Sequence, residues 1–142
     1  MNDSTDIIVS LISRIREKSN RFITRELSSR GLDGLKPIHG DLLLALFRHD
    51  RPTMKELAHI VDRKKSTVTT LVTKLILLGY VRREKDDEDF RIFRISLTPK
   101  GLALKSDLME ISRTLLAKVY KDMPKADQKA VVKGLNRIND GW

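Results

Sequence analysis

Apolar residues near the start of the chain fall at Ile8, Leu11, Ile12, Ile15, Phe22, Ile23 and Leu27, a spacing that puts them on one face of a long helix. Gly31 and Gly34 mark its end. Pro37 suits the first turn of a second helix. Its run Leu42-Leu43-Leu44-Ala45-Leu46-Phe47 is apolar nearly all round, the pattern of a buried helix, and Arg51-Pro52 ends it. Thr53 and Glu56 have capping-box spacing, which predicts a short third helix from Met54 to about Val61. After a break at Asp62 to Lys64, a fourth helix turns Val68, Leu71, Val72, Leu75 and Leu78 inward and closes at Gly79.

The period then changes. Tyr80 to Arg83 and Arg91 to Leu97 read as two short strands, with Phe93, Ile95 and Leu97 alternating, around a polar tip Asp86-Asp87-Glu88-Asp89. Thr98 can cap a fifth helix with Pro99 in its first turn, running to about Met123 through Leu104, Leu108, Ile111, Leu115, Val119 and Tyr120. Pro124 breaks it, and a last helix carries Val131, Leu135 and Ile138. The predicted order is four helices, a hairpin and two helices.

At 142 residues the chain has the size of one domain, and 28 Lys+Arg against 19 Asp+Glu give +9 at pH 7, which points to an anionic partner. Aromatics are 5%, too few for a single-strand stacking platform. The absence of cysteine removes disulfides, thiolate metal sites and thiol redox sensing. No apolar run approaches the ~20 residues of a membrane span, and an N-terminus carrying Asp3 and Asp6 does not read as a signal peptide, so a cytoplasmic location is expected. With no Gly-rich phosphate loop, nucleophile elbow or paired catalytic carboxylates, neither an enzyme nor a cofactor is expected.

A short capped helix, a tight break, a second helix and then a hairpin is the arrangement of a winged helix-turn-helix. From Arg63 to Arg83 there are six basic residues (Arg63, Lys64, Lys65, Lys74, Arg82, Arg83) and no acidic one. The other outward positions of the fourth helix are Ser66, Thr67, Thr69, Thr70 and Thr73, small hydroxyl side chains that let a backbone approach closely, meet phosphates or base edges, and touch thymine methyls. An ordinary solvated helix mixes Glu with its Lys; an element pressed into a phosphate-lined groove does not.

These residues carry a resemblance. Met54-Lys-Glu-Leu-Ala58, Lys65-Ser-Thr-Val-Thr69 through Leu75, Leu78-Gly-Tyr-Val-Arg-Arg83, and Asp89-Phe-Arg91 with the exit Ser96-Leu-Thr-Pro-Lys-Gly101 resemble the MarR family of bacterial and archaeal transcription regulators. The resemblance implies a mainly α fold with a small β-hairpin wing: one winged-helix regulator domain over 1–142, with a DNA-binding lobe at 36–101 between dimerisation helices at 1–30 and 102–142. It implies a homodimer on a pseudo-palindromic site in double-stranded DNA, most simply a repressor. Recognition helices would enter the major groove, and each wing a flanking minor groove. Lys64, Lys65, Ser66, Thr67, Thr69, Thr70, Thr73 and Lys74 fall at DNA-contacting positions, Arg91 matches the wing arginine of the minor groove, and Asp89 matches the acid that holds it. A small-molecule effector pocket between the dimerisation helices and the lobe is implied as well, its ligand unidentified. Three positions depart from the pattern. Phe90 stands where many members have a second Arg, making the tip less basic or a hydrophobic wedge. Arg63 replaces an apolar turn residue, and Lys64 occupies the usual Ser or Asp cap.

The terminal helices carry more apolar surface than a small winged helix covers: Ile8, Leu11, Ile15, Leu115, Leu116, Val119, Leu135 and Ile138 call for a partner, which a C2 dimer supplies. The acidic run reads as a solvated tip with an internal Asp89–Arg91 pair rather than a metal site. His39, His49 and His59 stand singly, so no metal is assigned. Trp142 and Tyr120 read as packing residues, and Met54, Met109 and Met123 as core filler. Two other readings stay open: a nucleoid-associated protein of low sequence preference, and a winged helix that binds protein through an apolar patch, for which Leu77 is the one outward candidate.

Overall fold

The computed structural model describes residues 4–142. The amphipathic N-terminal stretch forms α1 (Ile8–Ser29), and Gly31 takes φ 73° to end it while the Leu32 N–H reaches back to the Leu27 carbonyl at 2.9 Å. Next comes α2 (Pro37–Arg48), with Pro37 in its first turn and the His39 imidazole Nδ1 accepting the Lys36 N–H at 2.9 Å. That bond gives His39 a capping role. The helix-turn-helix is α3 (Met54–Ile60) and α4 (Lys65–Leu77). A two-stranded antiparallel hairpin follows, β1 (Val81–Lys85) paired with β2 (Phe93–Leu97), then α5 (Pro99–Leu102), α6 (Lys105–Val119) and α7 (Lys125–Asp140).

The core gathers at the centre of this order. Leu27, Leu42, Leu43, Leu57, Val68, Val72, Leu75 and Ile95 are all buried, with Leu104, Leu108 and Ile111 closing the cluster from the α5–α6 side. Helix α6 packs on both α1 and α2, so the long helices rest on the lobe. The lobe is also tight where α5 meets β1: a Cβ added at Gly101 would lie 1.9 Å from the Tyr80 carbonyl oxygen, leaving room for glycine alone. Among the described residues no helix is long and apolar enough to cross a membrane.

Five expectations need correction. The second strand starts at Phe93 and not at Arg91, because the Ile92 N–H turns back to the Asp89 carbonyl at 3.0 Å within the hairpin's crown. The helix from Pro99 to about Met123 is two helices. Ala103 and Leu104 take shallow helical angles, and the Leu104 N–H bonds three residues back, to the Gly101 carbonyl at 3.1 Å, a tighter turn that swings Leu104 into the core. The first strand starts at Val81 and runs to Lys85, because the Tyr80 N–H is taken by the Leu75 carbonyl at the end of α4. Only half of the Thr53–Glu56 capping box forms: Thr53 Oγ1 accepts the Glu56 N–H at 3.1 Å. Trp142 packs on nothing and is fully exposed.

Candidate nucleic-acid interface

The turn between α3 and α4 is short because Asp62 adopts φ 53° and the Arg63 N–H returns to the Ala58 carbonyl at 3.0 Å. The buried stripe Val68, Val72 and Leu75, flanked by half-buried Leu71 and Leu78, fixes which side of α4 faces inward. Lys64, Lys65, Ser66, Thr67, Thr69, Thr70 and Thr73 are then all exposed on the opposite side, and Lys74 is half-buried at its edge. No side chain caps the first turn of α4 and no acid lies in it, so its N-terminal N–H groups and Lys64 and Lys65 present one field of positive potential. At the other end, the Lys100 Nζ donates to the Leu78 carbonyl at 2.7 Å and Gly79 takes φ 83°.

The threonines need a chemical refinement. Thr69, Thr70 and Thr73 each donate their hydroxyl hydrogen to a carbonyl four residues back, Lys65, Ser66 and Thr69 respectively, at 2.8, 3.2 and 2.8 Å. In this state each hydroxyl oxygen is an outward acceptor and each methyl an apolar contact. A base-edge amino group or a thymine methyl suits that surface better than a phosphate oxygen does.

In the wing, Arg91 extends into solvent with a side chain 90% exposed, while Asp89 grips its guanidinium at Nε and Nη2, both 3.0 Å, and accepts its backbone N–H as well. Those bonds hold the Asp89 carboxyl below its ordinary range. The pair expected from the sequence is thus formed.

A second set of residues, missed in the sequence, anchors the wing root. Asp86 is half-buried: its carboxylate accepts the N–H groups of Glu88 and Asp89 and the Arg94 guanidinium, which bring its pKa down to about 2. Arg94 also donates to the Arg51 carbonyl at 3.0 Å, and Arg51 pairs with Glu84 at 3.1 Å and Asp87 at 3.3 Å. The Ile95 N–H reaches the Pro52 carbonyl at 2.8 Å. The wing is therefore stitched to the α2–α3 corner, and the acidic run is a structural hinge-pin as much as a solvated tip. The local signal was an Asp whose carboxylate can cap N–H groups two and three residues on.

On the outer helices, Ile8, Leu11, Ile15, Val119, Leu135 and Ile138 are exposed and Leu115 is half-buried, and α7 buries none of its residues. Between α1 and the start of α2 lies an open cleft of about 1000 Å³, bordered by Arg16, Arg21, Arg25, Lys36 and Arg63 together with Glu17 and Asp41.

A capped helix, a tight turn, a second helix with a basic and hydroxylated face, and a hairpin with an arginine tip define a winged helix-turn-helix protein. Residues 33–92, the span from the approach to α2 through the wing tip, match the model of the MarR family. It is 34% identical over 89 residues to the HTH-type transcriptional regulator SarZ of Staphylococcus aureus, an alignment covering 63% of this chain and 57% of that relative. The chain thus spans little more than half the length of the curated relatives it matches. Its fold matches the S. aureus MepR–DNA complex with a TM-score of 0.85 at 18% identity, over 94% of this chain and 97% of that one. It also matches BpsR of Bordetella bronchiseptica, whose DNA binding is regulated by 6-hydroxynicotinic acid, with a TM-score of 0.84 at 16% identity over 100% and 99%.

Proposed function

We propose that the protein is a transcriptional regulator that binds double-stranded DNA as a homodimer, with α4 in the major groove and the wing over a flanking minor groove. The observation that carries this reading is the outer face of α4: exposed hydroxyls and lysines without a carboxylate, beside an exposed Arg91 already oriented by Asp89. Lys64, Lys65, Ser66, Thr67, Thr69, Thr70, Thr73, Lys74 and Arg91 are the proposed contacts. The lobe at 36–101 reads the DNA, and the helices at 1–30 and 102–142 pair two copies through Ile8, Leu11, Ile15, Leu115, Val119, Leu135 and Ile138. Two recognition helices related by a two-fold axis suit half-sites about 34 Å apart, one turn of the duplex. Repression follows where such a site overlaps a promoter. The α1–α2 cleft supports control by a small molecule, the kind of control that 6-hydroxynicotinic acid exerts on DNA binding by BpsR.

The test is selection of bound fragments from a random duplex library at ~150 mM salt, where weak electrostatic binding fades. One inverted repeat with half-sites about a turn apart is the expected result. Fragments sharing no sequence would replace this reading with a low-specificity, nucleoid-associated one.

A further inference from the structure

The two faces of the wing differ in charge compensation. The register puts Val81, Arg83, Lys85, Phe93, Ile95 and Leu97 on one face and Arg82, Glu84, Arg94 and Ser96 on the other. On the second face the charges cancel: Glu84 pairs with Arg51 and Arg82, and Asp86 with Arg94. On the first, among the described residues, no carboxylate pairs with Arg83 or Lys85. Arg83 instead lies 4.0 Å over the Phe93 ring centroid, and the Lys85 Nζ sits 6.0 Å from that of Phe90.

Phe90 stands at the crown of this hairpin, 69% exposed, next to Arg91. The crown is rigid. Asp86 caps the N–H groups of Glu88 and Asp89, the Asp86 N–H meets the Ile92 carbonyl at 2.9 Å, and the Ile92 N–H meets the Asp89 carbonyl at 3.0 Å. An aromatic ring is thus presented on a hydrogen-bonded turn, with Arg91 and Lys85 beside it and the exposed carboxylates Asp87 and Glu88 in the same crown. Ile92 and Phe93, 39% and 36% exposed, add apolar surface next to it, and the flanking Arg83, Lys85 and Arg91 favour a duplex, which offers phosphates to the cations and a base step to the ring.

We propose that Phe90 is an apolar wedge that enters the minor groove beside Arg91 and partly unstacks the base step beneath it, so that the wing deforms DNA as well as holding it. This rests on the DNA-binding reading above. A wedge works at least cost at flexible pyrimidine–purine steps, so TA or CA/TG is expected at a fixed distance outside each half-site.

The experiment uses duplexes recovered by the library selection, carrying 2-aminopurine at single flanking positions and a dye at each end. Wild-type protein brightens 2-aminopurine at one step per flank and shortens the end-to-end distance. Phe90→Ala, whose thermal midpoint should match wild type because the ring is exposed, loses both signals and binds about tenfold more weakly at every salt concentration, with the salt slope unchanged. Phe90→Leu keeps most of the signal. Phe90→Arg regains affinity with a slope steeper by about one unit and without brightening. Wild-type binding with no 2-aminopurine change, or a Phe90→Ala variant equal to wild type, overturns the wedge and leaves the DNA-binding reading standing. Folded wild-type protein that retains no duplex overturns both.

Discussion

The lobe and the terminal helices spend similar apolar residues to opposite effect. In the lobe, Leu57, Val68, Leu75 and Ile95 are each at most 1% exposed. On α1 and α7, Ile8, Leu11, Ile15, Leu135 and Ile138 lie between 40% and 49%. All carry helical or strand periodicity that reads as buried in a sequence. The difference is what surrounds them: α3, α4, the hairpin and α2 enclose one another, whereas among the described residues α7 buries none of its own. An amphipathic pattern therefore reports that a face must be covered, and only the packing says whether the same chain covers it.

That contrast can be broken from either side. Leu75→Ala removes a fully buried side chain and should lower stability by about 3 kcal/mol in urea denaturation, equally at low and high protein concentration. A loss under ~1 kcal/mol would mean that the lobe core is looser than its burial implies. Leu135→Glu adds a charge to an exposed stripe, and so should leave the folded lobe intact. On the proposed reading it converts dimer to monomer in sedimentation, removes the concentration dependence of the melting midpoint, and weakens duplex binding by about tenfold or more. A variant that stays dimeric, or a wild type that is monomeric, would remove these helices from the assembly.

Local signals explain what could be read without coordinates. The inner stripe of α4, the helix start at Pro37 and the turn at Asp62 to Lys64 depend on residues a few positions apart, and each is where periodicity and turn chemistry put it. The equally local Asp89–Arg91 pair is the one that the family resemblance implies. The wing root was illegible because its partners are distant: Arg94 meets the Arg51 carbonyl across 43 positions, and nothing near Arg51 announces that contact. The α5–α6 break turns on a shallow bend at Ala103 and Leu104 that no proline or exposed glycine marks. Back-bonding of the α4 threonines was available as a rule but needed rotamers, and it changes their chemistry from donor to acceptor.

The lobe's own contacts divide further. Arg91→Ala should reduce the salt slope of duplex binding by about one unit and weaken binding to all sites alike, because a cation at the minor groove displaces a counterion. Thr70→Ala should leave the slope alone and shift the ranking of selected sites, since it removes an acceptor oxygen and a methyl without changing charge. Equal slope and equal ranking in both variants would take these residues out of the interface while leaving the fold as described.

The smallest expected effect lies inside the lobe, at His39. Its Nδ1 accepts the Lys36 N–H, so the neutral ring carries its hydrogen on Nε2; protonating Nδ1 would set two N–H groups against each other. Burial, with Lys74 and Lys36 adding repulsion, pushes the imidazole below its ordinary value of 6.5. The unfolded chain therefore binds more protons than the folded one below about pH 6.5. Stability contributed by neutral His39 is complete above that value and is lost as pH falls toward the lowered folded value. His39→Gln keeps an acceptor for the Lys36 N–H and removes the titration, so its urea midpoint should match wild type at pH 7.5 and exceed it at pH 5. If both proteins lose stability in parallel between those values, the acid sensitivity resides in other groups, and the α2 cap is not where protons enter the lobe.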